Sequence, residues 1–128
     1  MKKKILIVIT TYYSVISRDL LNSAQKKLKN FAKIKVLKVP GAFEIPVTIS
    51  KNINKFDGFV ALGCIIRGET PHFEFISKST TDALMKLSIE NKKPIGNGVI
   101  TCLNMKQARA RSKKGKEAAD AVISVLSQ

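Results

Sequence analysis

Four apolar, β-branched runs recur along the chain, at Ile5 to Ile9, Ile34 to Val39, Gly58 to Ile66 and Pro94 to Thr101. Short continuous apolar runs of this kind predict strands buried on both faces. Between them the apolar positions change to a spacing of three and four residues. Ile16, Leu20, Ala24, Leu28 and Phe31 predict a first helix, and Ile45, Ile49, Ile53 and Phe56 a second, with Pro46 tolerated near its start. Ile76, Thr80, Ala83, Leu84 and Leu87 share one side of a third, while Ala118, Val122 and Leu126 beside Ala119 and Ile123 mark the last. Strand and helix alternation implies a parallel sheet covered on both faces, built from right-handed crossovers. With 128 residues and no linker, repeat or low-complexity stretch, the expectation is a single domain over residues 1–128.

In open sheets of this class, ligands bind outside the carboxyl ends of the strands. The chemically loaded segments fall there: Thr10–Ser14, Pro40–Glu44, Cys64–His72 and Thr101–Asn104. The densest is Arg67-Gly68-Glu69-Thr70-Pro71-His72-Phe73-Glu74, which carries the only histidine. Thr70 followed by Pro71 reads as the N-cap and first position of a helix. The free N–H groups of such a first turn form an anion seat, with His72 beside it as a proton-transfer group. An ordinary strand–helix junction with a surface histidine has the same local sequence.

The other segments each have two readings. Gly41 and Ala42 allow close approach to the backbone and Glu44 can accept hydrogen bonds from hydroxyls; equally, this is a tight turn with Glu44 placed against a helix dipole. Tyr12 and Tyr13 end the first strand, as a stacking platform for a planar heterocycle or as a cover for the edge of the core. Asn97 lies between Gly96 and Gly98, which mark close approach of something to the strand. Its amide is either satisfied by main chain or presented to a ligand. Arg111 and Lys114, with Gly115, form a basic cluster suited to a phosphate or to a solvated helix end.

The net charge of +14 raises nucleic acid or another anionic surface as a partner. Most of the excess is scattered lysine, arginine is confined to Arg18, Arg67, Arg109 and Arg111, and tryptophan is absent. That pattern fits a solvated surface better than a base-reading one. Lys2–Lys4 ahead of Ile5–Ile9 imitates a signal peptide, but the apolar run is too short and no small-residue cleavage site follows. A cytoplasmic protein without membrane or nucleic-acid partners is therefore expected. Cys64 and Cys102 suggest small buried thiols rather than a metal site or disulfide.

Taken together, Val39–Pro46 (VPGAFEIP), Ala61–His72 (ALGCIIRGETPH), Gly98–Thr101, Gln107-Ala108 and Lys114–Ala119 resemble the 6,7-dimethyl-8-ribityllumazine synthase family over nearly the whole chain. The resemblance implies an α/β, flavodoxin-like three-layer sandwich with a four-stranded parallel sheet and helices on both faces. It also implies condensation of 5-amino-6-(D-ribitylamino)uracil with 3,4-dihydroxy-2-butanone 4-phosphate, the penultimate step of riboflavin synthesis, with no cofactor and no metal. Pentamers or multiples of pentamers are implied, with the site between adjacent subunits and riboflavin synthase as a candidate partner. By similarity Tyr12 stacks on the pyrimidine, and Ala42, Phe43 and Glu44 hold the ribityl chain and ring. Main chain at Cys64, Ile65 and Ile66 reads the ring's polar edge. Glu69 and Thr70 bind phosphate with Arg111 from a neighbouring subunit, Lys114 lies near that phosphate, and His72 transfers protons. Asn97 stands where phenylalanine is frequent and belongs to the substrate site. Tyr12 replaces a usual phenylalanine, Leu103 a usual acidic residue, and the segment 111–114 is short. A non-catalytic protein on the same scaffold, binding nucleic acid or a lumazine or flavin, is the alternative.

Overall fold

A computed structural model describes residues 2–68 and 72–128. The strands are β1 (Lys3–Thr10), β2 (Ala32–Val39), β3 (Gly58–Ile66) and β4 (Ile95–Cys102). The helices are α1 (Ser14–Leu28), α2 (Ile45–Lys51), α3 (His72–Asn91), α4 (Met105–Ala110) and α5 (Gly115–Leu126), with a 3-10 turn at Ala42–Glu44 before α2. The sheet order is β2-β1-β3-β4, and every pairing is parallel. The four-stranded three-layer α/β fold expected from the apolar pattern is therefore present.

The central strands explain the uninterrupted apolar runs. Ile5, Ile7 and Ile9 face one side of β1, with Val60 and Leu62 of β3, against α1 and α5. Leu6 and Val8, with Phe59 and Ala61, face the other, against Ile45 and Ile49 of α2 and Leu84 of α3. The sheet thus divides the interior into two apolar clusters, and a residue on either face of β1 or β3 is removed from water. Edge strand β2 instead alternates, exposing Lys33, Lys35 and Lys38. Charged side chains on an edge discourage unwanted strand pairing.

Register brings the strand ends into one rim. Thr10 pairs with Val39, Ile9 with Leu62 and Ile66 with Cys102. The segments that follow them therefore share one end of the sheet.

Three local outcomes differ from the periodic pattern. α1 ends at Leu28, and Phe31 reaches the α1–α5 cluster from the turn, donating its N–H to the Leu28 carbonyl at 2.9 Å. α2 ends at Lys51, so Ile53 and Phe56 pack on the second cluster from outside the helix. The Asn52 amide donates to the Thr48 carbonyl at 2.8 Å, and tighter bonds from Ile53 to Ser50 and from Lys55 to Asn52 replace the helical ladder. The third is α4, for which no helix was expected. Asn104 caps it by accepting from Gln107 N–H at 2.9 Å, and Gln107 Oε1 accepts from Leu103 N–H at 2.8 Å.

Gly96 and Gly98 in β4 admit helix α5. A Cβ at Gly96 would stand 2.1 Å from the Ala118 carbonyl oxygen, and one at Gly98 would stand 2.5 Å from Leu62 Cδ2. The close approach signalled by these glycines is that of the protein itself, helix α5 at Gly96 and chiefly the Leu62 side chain of β3 at Gly98. Among the described residues no helix is long and apolar enough to cross a membrane.

Candidate active site

The rim encloses a cleft of about 430 Å3, within the range of small-molecule sites. Tyr12 and Tyr13 enter it from the end of β1, Gly41 and Ala42 from the turn after β2, and Cys64, Ile65 and Ile66 from β3. Gly68, and then His72, Phe73 and Ile76 of α3, close the remaining side. A contiguous hollow shares Gly41, Ala42, His72 and Ile76 with this cleft and extends it to Phe43 and Glu44. Tyr12, Ala42, Phe43, Glu44, Cys64, Ile65, Ile66 and His72 thus lie around one continuous concavity.

Local structure accounts for this convergence. Pro40 and Gly41 leave β2, and the Glu44 N–H donates to the Gly41 carbonyl at 3.1 Å, closing the 3-10 turn. That turn buries Ala42, leaves Phe43 exposed and sets Glu44 at the N-cap position of α2, where its side chain makes no capping hydrogen bond. A Cβ on Gly41 would stand 3.4 Å from a Glu44 carboxylate oxygen, so the carboxylate folds over the glycine. Beside the positive end of α2 the carboxylate is favourably placed. Arg67 continues from β3 by donating its N–H to the Cys102 carbonyl at 2.9 Å, which holds Arg67 itself beside the end of β4.

The cleft is apolar on its inner wall. Cys64 is buried, and burial together with neighbouring Cys102 pushes its thiol up to about 12. A thiol so hard to ionise is not a nucleophile near neutral pH. The Tyr13 phenol is likewise raised, first by burial and then by Tyr12 and Cys64. His72 is exposed at the start of α3 and is the one imidazole at the rim. Among the described residues no group of three or more His, Cys, Asp or Glu side chains is arranged to hold a metal ion.

Not all candidate residues meet in this cleft. Asn97 lies instead in a groove between α3 and α5 with Leu84, Met85, Ser88 and Val125. Its Oδ1 accepts from the Val99 N–H at 3.0 Å, so main chain satisfies that half of the amide. Arg111 and Lys114 line a third, basic hollow with Lys113 and Glu117. Arg111 Nη1 donates to the Thr101 carbonyl at 3.1 Å, which ties the guanidinium to the end of β4. The expected cap at Thr70, helix start at Pro71 and backbone phosphate contacts at Glu69 and Thr70 lie outside the described residues. Tyr13 and Gly41, each with a ligand-facing and a structural reading in the sequence, line the cleft, and so do Thr10, Gly68, Phe73 and Ile76, which carried no expected substrate contact. Thr10 and Gly68 stand at or just beyond strand ends, which was the available signal, whereas Phe73 and Ile76 belong to the first turns of α3.

The family model described as 6,7-dimethyl-8-ribityllumazine synthase matches residues 2–128. This chain belongs to that family. A Bartonella bacilliformis protein named 6,7-dimethyl-8-ribityllumazine synthase is 45% identical, over 88% of this chain and 78% of its own length. Rhodopseudomonas palustris 6,7-dimethyl-8-ribityllumazine synthase 1 is 42% identical, over 96% of this chain and 83% of its own length. The Blochmanniella pennsylvanica protein of the same name is 38% identical, over 98% and 87%. Family membership and the parallel three-layer fold agree, and neither favours a nucleic-acid-binding reading.

Proposed function

We propose that this chain condenses 5-amino-6-(D-ribitylamino)uracil with 3,4-dihydroxy-2-butanone 4-phosphate to give 6,7-dimethyl-8-ribityllumazine. One observation carries the reading in a chain of this family: an aromatic ring, the 42–44 turn, the end of β3 and His72 border one cleft of suitable size. Tyr12 provides the stacking face for the pyrimidine, and main chain at Cys64, Ile65 and Ile66 faces its polar edge. Ala42, Phe43 and Glu44 receive the ribityl hydroxyls, with the Glu44 carboxylate as acceptor. Glu69 and Thr70 bind the phosphate.

The amine of the uracil attacks the ketone, and loss of water gives an imine. Phosphate leaves, and ring closure expels a second water. Both substrates are intrinsically reactive, so holding them together supplies much of the acceleration as effective molarity. His72 shuttles protons between the attacking amine, the departing water and the leaving phosphate. The buried thiol of Cys64 takes no part.

The site is completed by a second copy of the chain. Asn97 and the Arg111–Lys114 cluster line hollows that share no residue with the cleft, and a neighbour is the proposed source of these groups. Phe75, Met85 and Ile89 make α3 apolar on an exposed face as well as on its buried one, and Val125 adds to it from α5. An exposed apolar face of this extent is suited to association. A homo-pentamer or a multiple of it, formed by single domains of residues 1–128 in the cytoplasm, is the proposed state.

Mixing the protein with both substrates and recording the lumazine chromophore together with released phosphate tests the activity. Equal amounts of both products are expected. No chromophore with either substrate in excess would overturn the reading. Native mass measurement tests the assembly.

A further inference from the structure

Tyr13 occupies a position that local rules assign to another residue type. It is the N-cap of α1, yet its side chain makes no capping hydrogen bond. Ser, Thr, Asp or Asn would satisfy one of the helix's orphan N–H groups there, and an aromatic ring leaves that gain unused. Breaches of local preference of this kind concentrate at functional sites.

The ring has a different engagement. Tyr13 is half-buried, packs against the α1–α5 core cluster and lines the cleft. Tyr12, by contrast, is 75% exposed. The two ring centroids lie 4.9 Å apart with an interplanar angle of 82°. This edge-to-face arrangement is the favoured geometry for aromatic pairs. It leaves at least one face of Tyr12 open.

An exposed aromatic side chain without a neighbour hops between rotamers on the picosecond to nanosecond scale, and binding a planar ligand must then halt that motion. A ring anchored in the core and set perpendicular to it restrains Tyr12 beforehand. The geometry points to Tyr13 as a positioning residue that holds the Tyr12 ring at the angle needed to stack on the pyrimidine. It deepens the proposed function, resting on the stacking role of Tyr12. The phenol of Tyr13 stays neutral at neutral pH and adds no charge beside the apolar wall.

The test is a double-mutant cycle read in steady-state kinetics. Tyr13→Asn removes the ring while supplying a good helix cap, so loss of function does not report fraying of α1. Tyr13→Leu provides a second variant of apolar character, and Tyr13→Phe retains the edge-to-face pair. Tyr13→Asn and Tyr13→Leu are expected to raise KM for the ribitylaminouracil about two- to tenfold, with KM for the sugar phosphate and kcat little changed. Tyr13→Phe is expected to behave as wild type. In a Tyr12→Ala background, Tyr13→Leu should cost nothing further. The same loss in both backgrounds, or an equal rise in both KM values, would overturn the positioning role. So would unchanged kinetics for Tyr13→Leu when Tyr12→Ala alone is impaired, which leaves the proposed function standing. If Tyr12→Ala has no effect on the uracil KM, stacking and its brace both fall.

Discussion

Gly96 and Ala118 are in backbone contact: any Cβ on the glycine would meet the Ala118 carbonyl oxygen at 2.1 Å and its carbonyl carbon at 2.8 Å. The obstruction is helix backbone, which cannot rotate away as a side chain would. Gly96→Ala must therefore push α5 off the sheet and disturb the cluster that Ala118, Ala119 and Val122 complete. Overpacking of this kind costs about 1–3 kcal/mol, and more where the backbone has to shift. Chemical denaturation is expected to show at least that loss. Gly68→Ala, with no atom of the described residues within 4 Å of where its Cβ would go, should stay within about 0.5 kcal/mol of wild type.

His72 stands at the cleft where α3 begins. His72→Ala should lower kcat about a hundredfold or more, with smaller changes in KM. Single-turnover measurement of lumazine formation checks this, and near wild-type turnover would remove the imidazole from the mechanism.

Arg111 donates to the Thr101 carbonyl, which orients the guanidinium for its proposed contact with the substrate phosphate. Arg111→Ala should raise KM for the phosphorylated substrate by about tenfold, consistent with loss of one charge-assisted hydrogen bond, and spare the uracil. Arg111→Lys should recover little, because an ammonium lacks the planar fork. Initial rates with each substrate varied in turn decide it, and equal effects on both would count against the assignment.

Cys64 gives a pH dependence with a definite sign. Its thiol is raised in the folded protein from an ordinary value of 9.0 to about 12. Folding therefore favours the protonated form, and this contribution is fully present below pH 9. It is lost progressively as pH rises toward 12, because the unfolded chain releases the proton first. Denaturation midpoints measured from pH 8 to pH 11 should fall more steeply for wild type than for Cys64→Ala. Parallel slopes would show that the thiol is not desolvated as described.

The fold was legible in particular residues. Ile5–Ile9 and Phe59–Leu62 contain no polar position because both faces of β1 and β3 are covered, which is the signature of central parallel strands. Ile53 and Phe56 show where periodicity misleads. They are spaced as on a helix and do face the core, yet the backbone beneath them has already turned. Six-residue α4 is too short for any period, and its signal was the pair Asn104 and Gln107. The glycines of β4 announced a close approach without naming Ala118, which is 22 positions after Gly96. For the site, the clustering of loaded segments at strand ends was readable, since parallel register dictates it. What sequence order could not convey is that Asn97, Arg111 and Lys114 face hollows separate from the one bordered by His72.

The placement of β1 between β2 and β3 has a consequence for biosynthesis. Its full set of sheet partners does not exist until residue 58 and beyond have been translated, because β3 pairs from Gly58 onward. Until then Ile5–Ile9 can pair with β2 alone, and its other edge stays open. Lys2, Lys3 and Lys4 immediately ahead of it stand where gatekeeper charges are placed beside unavoidable apolar strands, and like charges there oppose pairing between nascent chains.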